Sequence, residues 1–208
     1  MPRYRHEYKY FLDSTKESIL RIRADGLLMR DAHVQADGTY FIRSLYFDTI
    51  FNDAYFEKLD GVQNRNKYRI RIYNLSDKVI KLECKTKVGS LISKRSLSIP
   101  RDLADQLIAG DTTDLEKTRS GLLSDVYREM TCGLLRPVVI VDYVREAYLH
   151  PAEEVRITFD NNEMILEVKF NRVMPPYIRD LLCTYCPGAV QSAISKYTWC
   201  RRFEDMEA

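Results

Sequence analysis

Apolar and ionic residues alternate through Lys67–Lys87, KYRIRIYNLSDKVIKLECKTK, in two runs around a polar turn. Arg69 and Arg71 alternate with Tyr68, Ile70 and Ile72. After Asn74–Asp77, Lys81, Glu83 and Lys85 alternate with Ile80, Leu82 and Cys84. Side chains on a strand point to opposite faces in turn, so each run predicts a strand with one apolar and one ionic face. The short spacer of Asn, Ser and Asp types predicts an antiparallel hairpin. Comparable alternation marks strands at Tyr4–Phe11, Tyr40–Asp48, Leu91–Ile99, Val138–Leu149, Glu154–Asp160 and Met164–Phe170. In Tyr40–Asp48 the parity is less clean, because Leu45 and Phe47 share the face of Arg43.

Helical spacing lies between the strands. Asp13–Arg30 has Asp13 or Ser14 as N-cap and apolar residues at Ile19, Ile22, Leu27 and Leu28. A short helical segment is predicted within Thr49–Gly61, with Asp48 available to cap it. Pro100 can open a helix to about Ala109, and a second helix spans roughly Glu116–Cys132. Asn161-Asn162 reads as a turn, and Pro175–Cys186 reads as a helix stopped near Pro187-Gly188. Ala193–Arg201 reads as a last strand or a closing loop. There is no internal repeat or Pro/Gly linker, which predicts one domain over residues 1–208.

Any one of these strands would suit an antiparallel sheet with a solvated face. Two features point further. Arginines recur at Arg43, Arg69, Arg71, Arg145 and Arg156, and Glu-x-Lys occurs as Glu7/Lys9, Glu83/Lys85 and Glu167/Lys169. The i, i+2 spacing puts each pair on one face. The alternative geometry is a closed barrel with ions inside and its apolar side beneath helices. Such a lumen calls for a polyanion: Arg forks match phosphate oxygens, Lys supplies point charges, and glutamates among them suit a divalent cation bridging the phosphates.

Composition narrows the partners. A net charge of +2, from 32 basic and 30 acidic residues, argues against bulk nucleic-acid binding, so a cationic site must be local. The 14 tyrosines alternate with the ionic faces, which places most of them under helices rather than against bases. No apolar run reaches the ~18–20 residues of a membrane span, and MPRYRHEYKY lacks an apolar signal core. Five scattered cysteines suit reduced thiols, and the expected location is cytoplasmic. Cys183-x-x-Cys186 has half a zinc spacing without a second pair, and His6 sits on a tyrosine face; both read as structural.

The ordered segments RHEYKYFL, RSLYFDT, KYRIRIY, KLECK, VDYVREAY, VRITFD, LEVKF and AISKY resemble the triphosphate tunnel metalloenzymes, and among them the VTC domain, the polyphosphate polymerase module of the vacuolar transporter chaperone complex. The resemblance implies an α+β fold: a closed eight-stranded antiparallel β-barrel with a polar lumen and helices outside. It also implies transfer of the γ-phosphate of ATP to polyphosphate, with Mn²⁺ or Mg²⁺. Matched by motif, Lys9, Arg69, Arg71, Lys85, Arg145, Arg156, Lys169 and Lys196 form the basic wall, with Arg43 and Lys94 as further wall residues. Glu167 is then the metal ligand, and Tyr143 and Ser195 are neutral phosphate contacts. Glu7 and Glu83 have two readings, as metal ligands or as acids that order the neighbouring bases. Ala193-Ile194 stands where a family polymerase has an extra lysine. The family's eukaryotic complexes add a phosphate-sensing domain and a membrane region, so a membrane-protein partner is conceivable. Three functions remain open: polymerase, tunnel-type triphosphatase, and non-catalytic polyphosphate-binding module.

Overall fold

The computed structural model describes residues 4–115, 121–150, 154–160, 165–185 and 195–207. In chain order the first half holds β1 (His6–Phe11), α1 (Ser14–Leu27), β2 (Met29–Arg30), β3 (Thr39–Asp48), α2 (Asp53–Leu59), β4 (Asn64–Tyr73), β5 (Ser76–Val88) and β6 (Leu91–Ile99). The second half holds α3 (Arg101–Ala109), α4 (Gly121–Thr131), β7 (Arg136–Leu149), β8 (Arg156–Asp160), β9 (Ile165–Phe170), α5 (Pro176–Tyr185) and α6 (Lys196–Glu207). The fold is α+β and its registered strand pairs are antiparallel. The turn expected at Asn161-Asn162, the stop at Pro187-Gly188, Cys186, Ala193-Ile194 and the start of the Glu116–Cys132 helix lie outside the described residues.

The chain forms two compact units, one from Ile42–Asp142 with the segment from Ser195, the other from Tyr4–Phe41 and Tyr143–Ile194. In the first unit β3, β4, β5 and β6 are successive neighbours. The β4–β5 turn is tighter than the expected four residues. Tyr73 pairs with Ser76, and Asn74 and Leu75 have φ of 53° and 54°. Positive φ at both central residues is what a two-residue hairpin needs to match strand twist. The apolar face of these strands, including Ile70, Leu82 and Cys84, forms a core with Leu107 of α3 and Val126 and Met130 of α4.

In the second unit the order is β1-β9-β8-β7, with β2 added on β7. Its core joins Phe159, Leu166 and Val168 to Leu20 and Ala24 of α1 and Ile178 of α5. Asp13 caps α1, its Oδ1 accepting from the Lys16 backbone N–H at 2.8 Å. The buried stripe of α1 differs from the expected one: Leu20 and Ala24 face the core, whereas Ile22 is 71% exposed. An i, i+4 pair lies on one helix face, and the Ile19/Ile22 spacing alone could not say which side would meet the sheet.

The structure shows the antiparallel α+β sheet, and neither strand set pairs back on itself among the described residues. The last segment is corrected from strand or loop to helix. Residues past Arg201, in RRFEDME, extend a helix that Ser195 caps by accepting from the Thr198 backbone N–H at 3.4 Å. Among the described residues, no helix is long and apolar enough to cross a membrane.

Candidate functional site

In the first unit, the pairings place Lys67, Arg69 and Arg71 of β4 on one face with Lys85, Glu83 and Lys81 of β5. Lys94, Ser96 and Ser98 of β6 continue the same cross-strand rows. One row is Lys67–Lys85–Lys94, three lysines opposite one another. Like charges directly opposed across a sheet are destabilising, and here Glu83 offsets part of that charge through Lys94. The next row centres on Glu83, which is 1% exposed. Arg69 grips its Oε2 through Nε at 2.8 Å and Nη2 at 2.7 Å, while Lys94 donates to Oε1 at 2.6 Å. Arg71 Nη1 stands 3.9 Å from Oε2, and its Nε donates to Ser44 Oγ at 2.9 Å. Arg69 Nη1 also donates to the Tyr46 hydroxyl at 2.8 Å. Burial would raise that hydroxyl's pKa, but Arg69, Arg71 and Lys85 outweigh it and hold it below its ordinary value.

Glu83 is thus an acid that holds two arginines and a lysine in place, which favours the ordering reading over metal ligation. Burial pushes its carboxyl up; Arg69, Arg71 and Lys94 together overcome that and hold it well below its ordinary 4.5. A depressed carboxylate contributes stability that is present above its unfolded pKa and is lost as pH falls through the folded one. We therefore expect acid unfolding below about pH 4.5 to be less steep in Glu83→Gln, with lower stability at pH 7. Urea melts across pH check this; parallel pH profiles for the two proteins would refute it.

Other predicted residues of this unit are placed differently. Arg43 pairs with Ile72, on the face opposite Arg71, and forks onto exposed Asp142 with Nη2–Oδ2 at 2.6 Å. It therefore does not join the basic face; Ser44 and Tyr46, of the opposite parity, do. Ser195 and Lys196 open α6 instead of a strand, and Lys67 Nζ donates to Ser195 Oγ at 3.2 Å. The Tyr197 hydroxyl bonds Asp48, which also accepts from the Ala54 and Tyr55 N–H groups at 2.8 and 3.1 Å. Asp48 caps α2, as expected.

In the second unit the ionic face mixes acids with bases. Glu7 pairs with Lys169, Lys9 with Glu167, Lys169 with Arg156, and Arg145 with Asp160. Arg145 grips Asp160 through Nε–Oδ1 at 2.6 Å and Nη2–Oδ2 at 2.8 Å, and reaches Glu167 Oε2 at 3.3 Å. Its guanidinium sits 5.1 Å from the Tyr143 ring centre. Lys169 Nζ is 2.6 Å from Glu167 Oε1, and Lys9 Nζ is 3.7 Å from Glu7 Oε1. Arg156 bonds Asp31 at 2.7 Å and the Tyr40 hydroxyl at 2.8 Å. Burial would raise Glu167's pKa; Lys169, Lys9 and Arg145, with a hydrogen bond to Glu7, outweigh it and hold it well below the usual range. Burial also pushes Lys169 down to about 7, against the pull of Glu167 and Glu7.

Glu7, Lys9, Tyr143, Arg145, Glu167 and Lys169 are thus brought together, with Arg156 at the adjoining row. Sequence reasoning missed Asp160 and Asp31, the acids that hold Arg145 and Arg156, and it missed Lys67. The signal for Lys67 was present: it stands two residues before Arg69 and shares its parity. Among the described residues, no three His, Cys, Asp or Glu side chains form a ready metal cage. His6 stacks on Phe170 with ring centres 5.0 Å apart, and Cys183 is an exposed free thiol on α5.

The VTC domain family model matches residues 4–164. No curated protein matches the sequence. Among solved structures, the chain is similar to HpAC1 from Hippeastrum, a proposed adenylyl cyclase with a dominant triphosphatase activity, at TM-score 0.63 and 16% identity, over 98% of this chain and 96% of that one. A proposed adenylate cyclase from Bacillus halodurans gives TM-score 0.58 and 12% identity, over 92% and 94%. PH1012 from Pyrococcus horikoshii gives 0.54 and 9%, over 92% and 96%. At these identities the likeness is one of fold.

Proposed function

We propose that this chain, which belongs to the VTC domain family, is a polyphosphate polymerase that moves the γ-phosphate of ATP onto a growing polyphosphate chain. The observation that carries this reading is the Lys67–Lys85–Lys94 row beside Arg69 and Arg71, a face of β4–β6 on which Glu83 is the acid. Repeated point charges along a row suit a repeated polyanion better than a single phosphate. An extended chain would fit a lumen, and the closed tunnel of a single domain belongs to this proposal.

The loose transition state of phosphoryl transfer needs in-line positioning and charge neutralisation more than covalent chemistry. Arg69 and Arg71 are held by Glu83, Ser44 and Tyr46, which fixes the directions of their guanidinium planes. Preorganised donors of this kind cost no rearrangement as charge develops. The acceptor, a terminal phosphate, is already ionised and requires no general base. In the second unit, Glu7 and Glu167 lie within hydrogen-bonding contact. Lys169 and Lys9 already serve as counter-charges to this pair, and Glu7 and Glu167 are the residues that would hold Mn²⁺ or Mg²⁺ if a divalent ion took the place of an ammonium there. The metal, when bound, would neutralise phosphate charge. Arg145 then acts on Glu167 as a positioning residue, since Asp160 occupies its fork.

The triphosphatase activity of HpAC1, on a similar fold, keeps hydrolysis as a second reading. Incubation with ATP and Mn²⁺, with products resolved by chain length and free phosphate assayed, separates them. We expect a polyphosphate ladder with ADP and little orthophosphate, reduced by at least about a hundredfold in Glu167→Gln. Stoichiometric orthophosphate without a ladder would establish the hydrolase. Polyphosphate binding with neither product would leave a binding module.

A further inference from the structure

On β1, His6 and Tyr8 point away from the Glu7–Lys9 face, and the chemistry on that side is separate from the ionic network. They line an open pocket of about 410 Å³ bordered by β9 and α5, all within the second unit. That is within the range of about 300–1,000 Å³ typical of small-molecule sites. One wall is aromatic: Phe170 stacks on His6 with an interplanar angle of 22° and takes Tyr8 edge-on at 5.1 Å. The rim carries Arg172 and Arg179, both exposed, and neither makes an ion pair or hydrogen bond among the described residues. This differs from Arg69, Arg145 and Arg156, each of which has an acid in its fork or beside it. The described lining contains no carboxylate.

Two uncommitted guanidinium forks match phosphate oxygens, and an apolar aromatic wall matches the face of a flat ring. We propose that this pocket binds a nucleoside phosphate, with its base against the Phe170–His6–Tyr8 wall and its phosphates on Arg172 and Arg179. A bare phosphate chain would leave the aromatic wall unused, and a neutral ring would leave both arginines unpaired. The site does not depend on the reaction proposed for the ionic face.

Cys183 lines the same pocket with an exposed thiol and serves as a reporter. The full chain is alkylated with iodoacetamide with and without ADP, and modification is followed at Cys183 and at exposed Cys132 by peptide mass spectrometry. With ADP at ten times its Kd, Cys183 labelling is expected to slow about tenfold while Cys132 is unchanged. Combining Arg172→Ala with Arg179→Ala should abolish the protection and leave the melting temperature and basal turnover unchanged. Arg69→Ala should retain it, which separates this site from ADP held on the ionic face. Unslowed Cys183 labelling overturns the proposal, as does protection that survives in the double variant. Equal protection by adenosine or by tripolyphosphate also overturns it, since the phosphates or the ring would then contribute nothing.

Discussion

Lys85→Met is expected to weaken tripolyphosphate binding by at least about tenfold, with a smaller loss of thermal stability than Arg69→Ala, because a hydrogen bond or ion contact to a charged group is worth about 1.5–3 kcal/mol. Lys85 occupies the middle of the Lys67–Lys85–Lys94 row. Removing its charge relieves like-charge opposition in the unliganded protein, so the folded state loses nothing from that source. Arg69→Ala should behave differently. Arg69 supplies two contacts to Glu83 and one to Tyr46, so its loss should lower both affinity and stability. Calorimetric titration with tripolyphosphate and thermal melts of both variants make the comparison. A Lys85→Met protein with unchanged affinity would mean that the row faces no ligand, and the phosphate-binding reading of this face would fail.

Arg145→Ala should destabilise the protein by about 3–5 kcal/mol, the range for breaking a buried ion pair by removing one partner. The Arg145 side chain is 9% exposed, and Asp160 and Glu167 are 1% and 6% exposed. Without the guanidinium, two buried carboxylates lose their shared cation. Burial works against Arg145's charge, yet Asp160, Tyr143 and Glu167 together hold it more firmly protonated than usual. Arg145→Lys keeps the charge but cannot form the two-pronged contact to Asp160, so an intermediate loss is expected. Urea unfolding of the three proteins tests the order. If Arg145→Ala were as stable as the parent, the Asp160 pairing would be incidental and Arg145 would be available to bind phosphate directly.

The hairpin at β4–β5 was legible because both its strands keep a strict two-residue period: Tyr68, Ile70, Leu82 and Cys84 went to the core, and Arg69, Arg71, Glu83 and Lys85 to the other face. Asp48 as a cap and Asp13 as an N-cap were legible for a similar reason, since each acts on backbone within a few residues. Arg43 shows where the pattern ran out. Its parity with Leu45 and Phe47 already set it on the apolar side, and only the pairing with Ile72 decides between its charge and its parity. The α6 segment was misread because the window ended at Arg201, before the residues that extend the helix.

The sequence by itself determined which residues share a face, because alternation along a strand is set by local backbone geometry and needs no partner. It also determined that those faces are rich in bases, with an acid at regular spacing. Only the tertiary structure decided how the charges are used. Asp160 takes the fork of Arg145, Asp31 holds Arg156, Glu83 gathers Arg69 and Lys94, and Lys94 stands in one row with Lys67 and Lys85. Those pairings join residues up to 125 positions apart (Asp31 and Arg156). They depend on strand register, which is fixed when the apolar faces bury against α1, α3, α4 and α5 and a one-residue slip would turn every side chain to the wrong side.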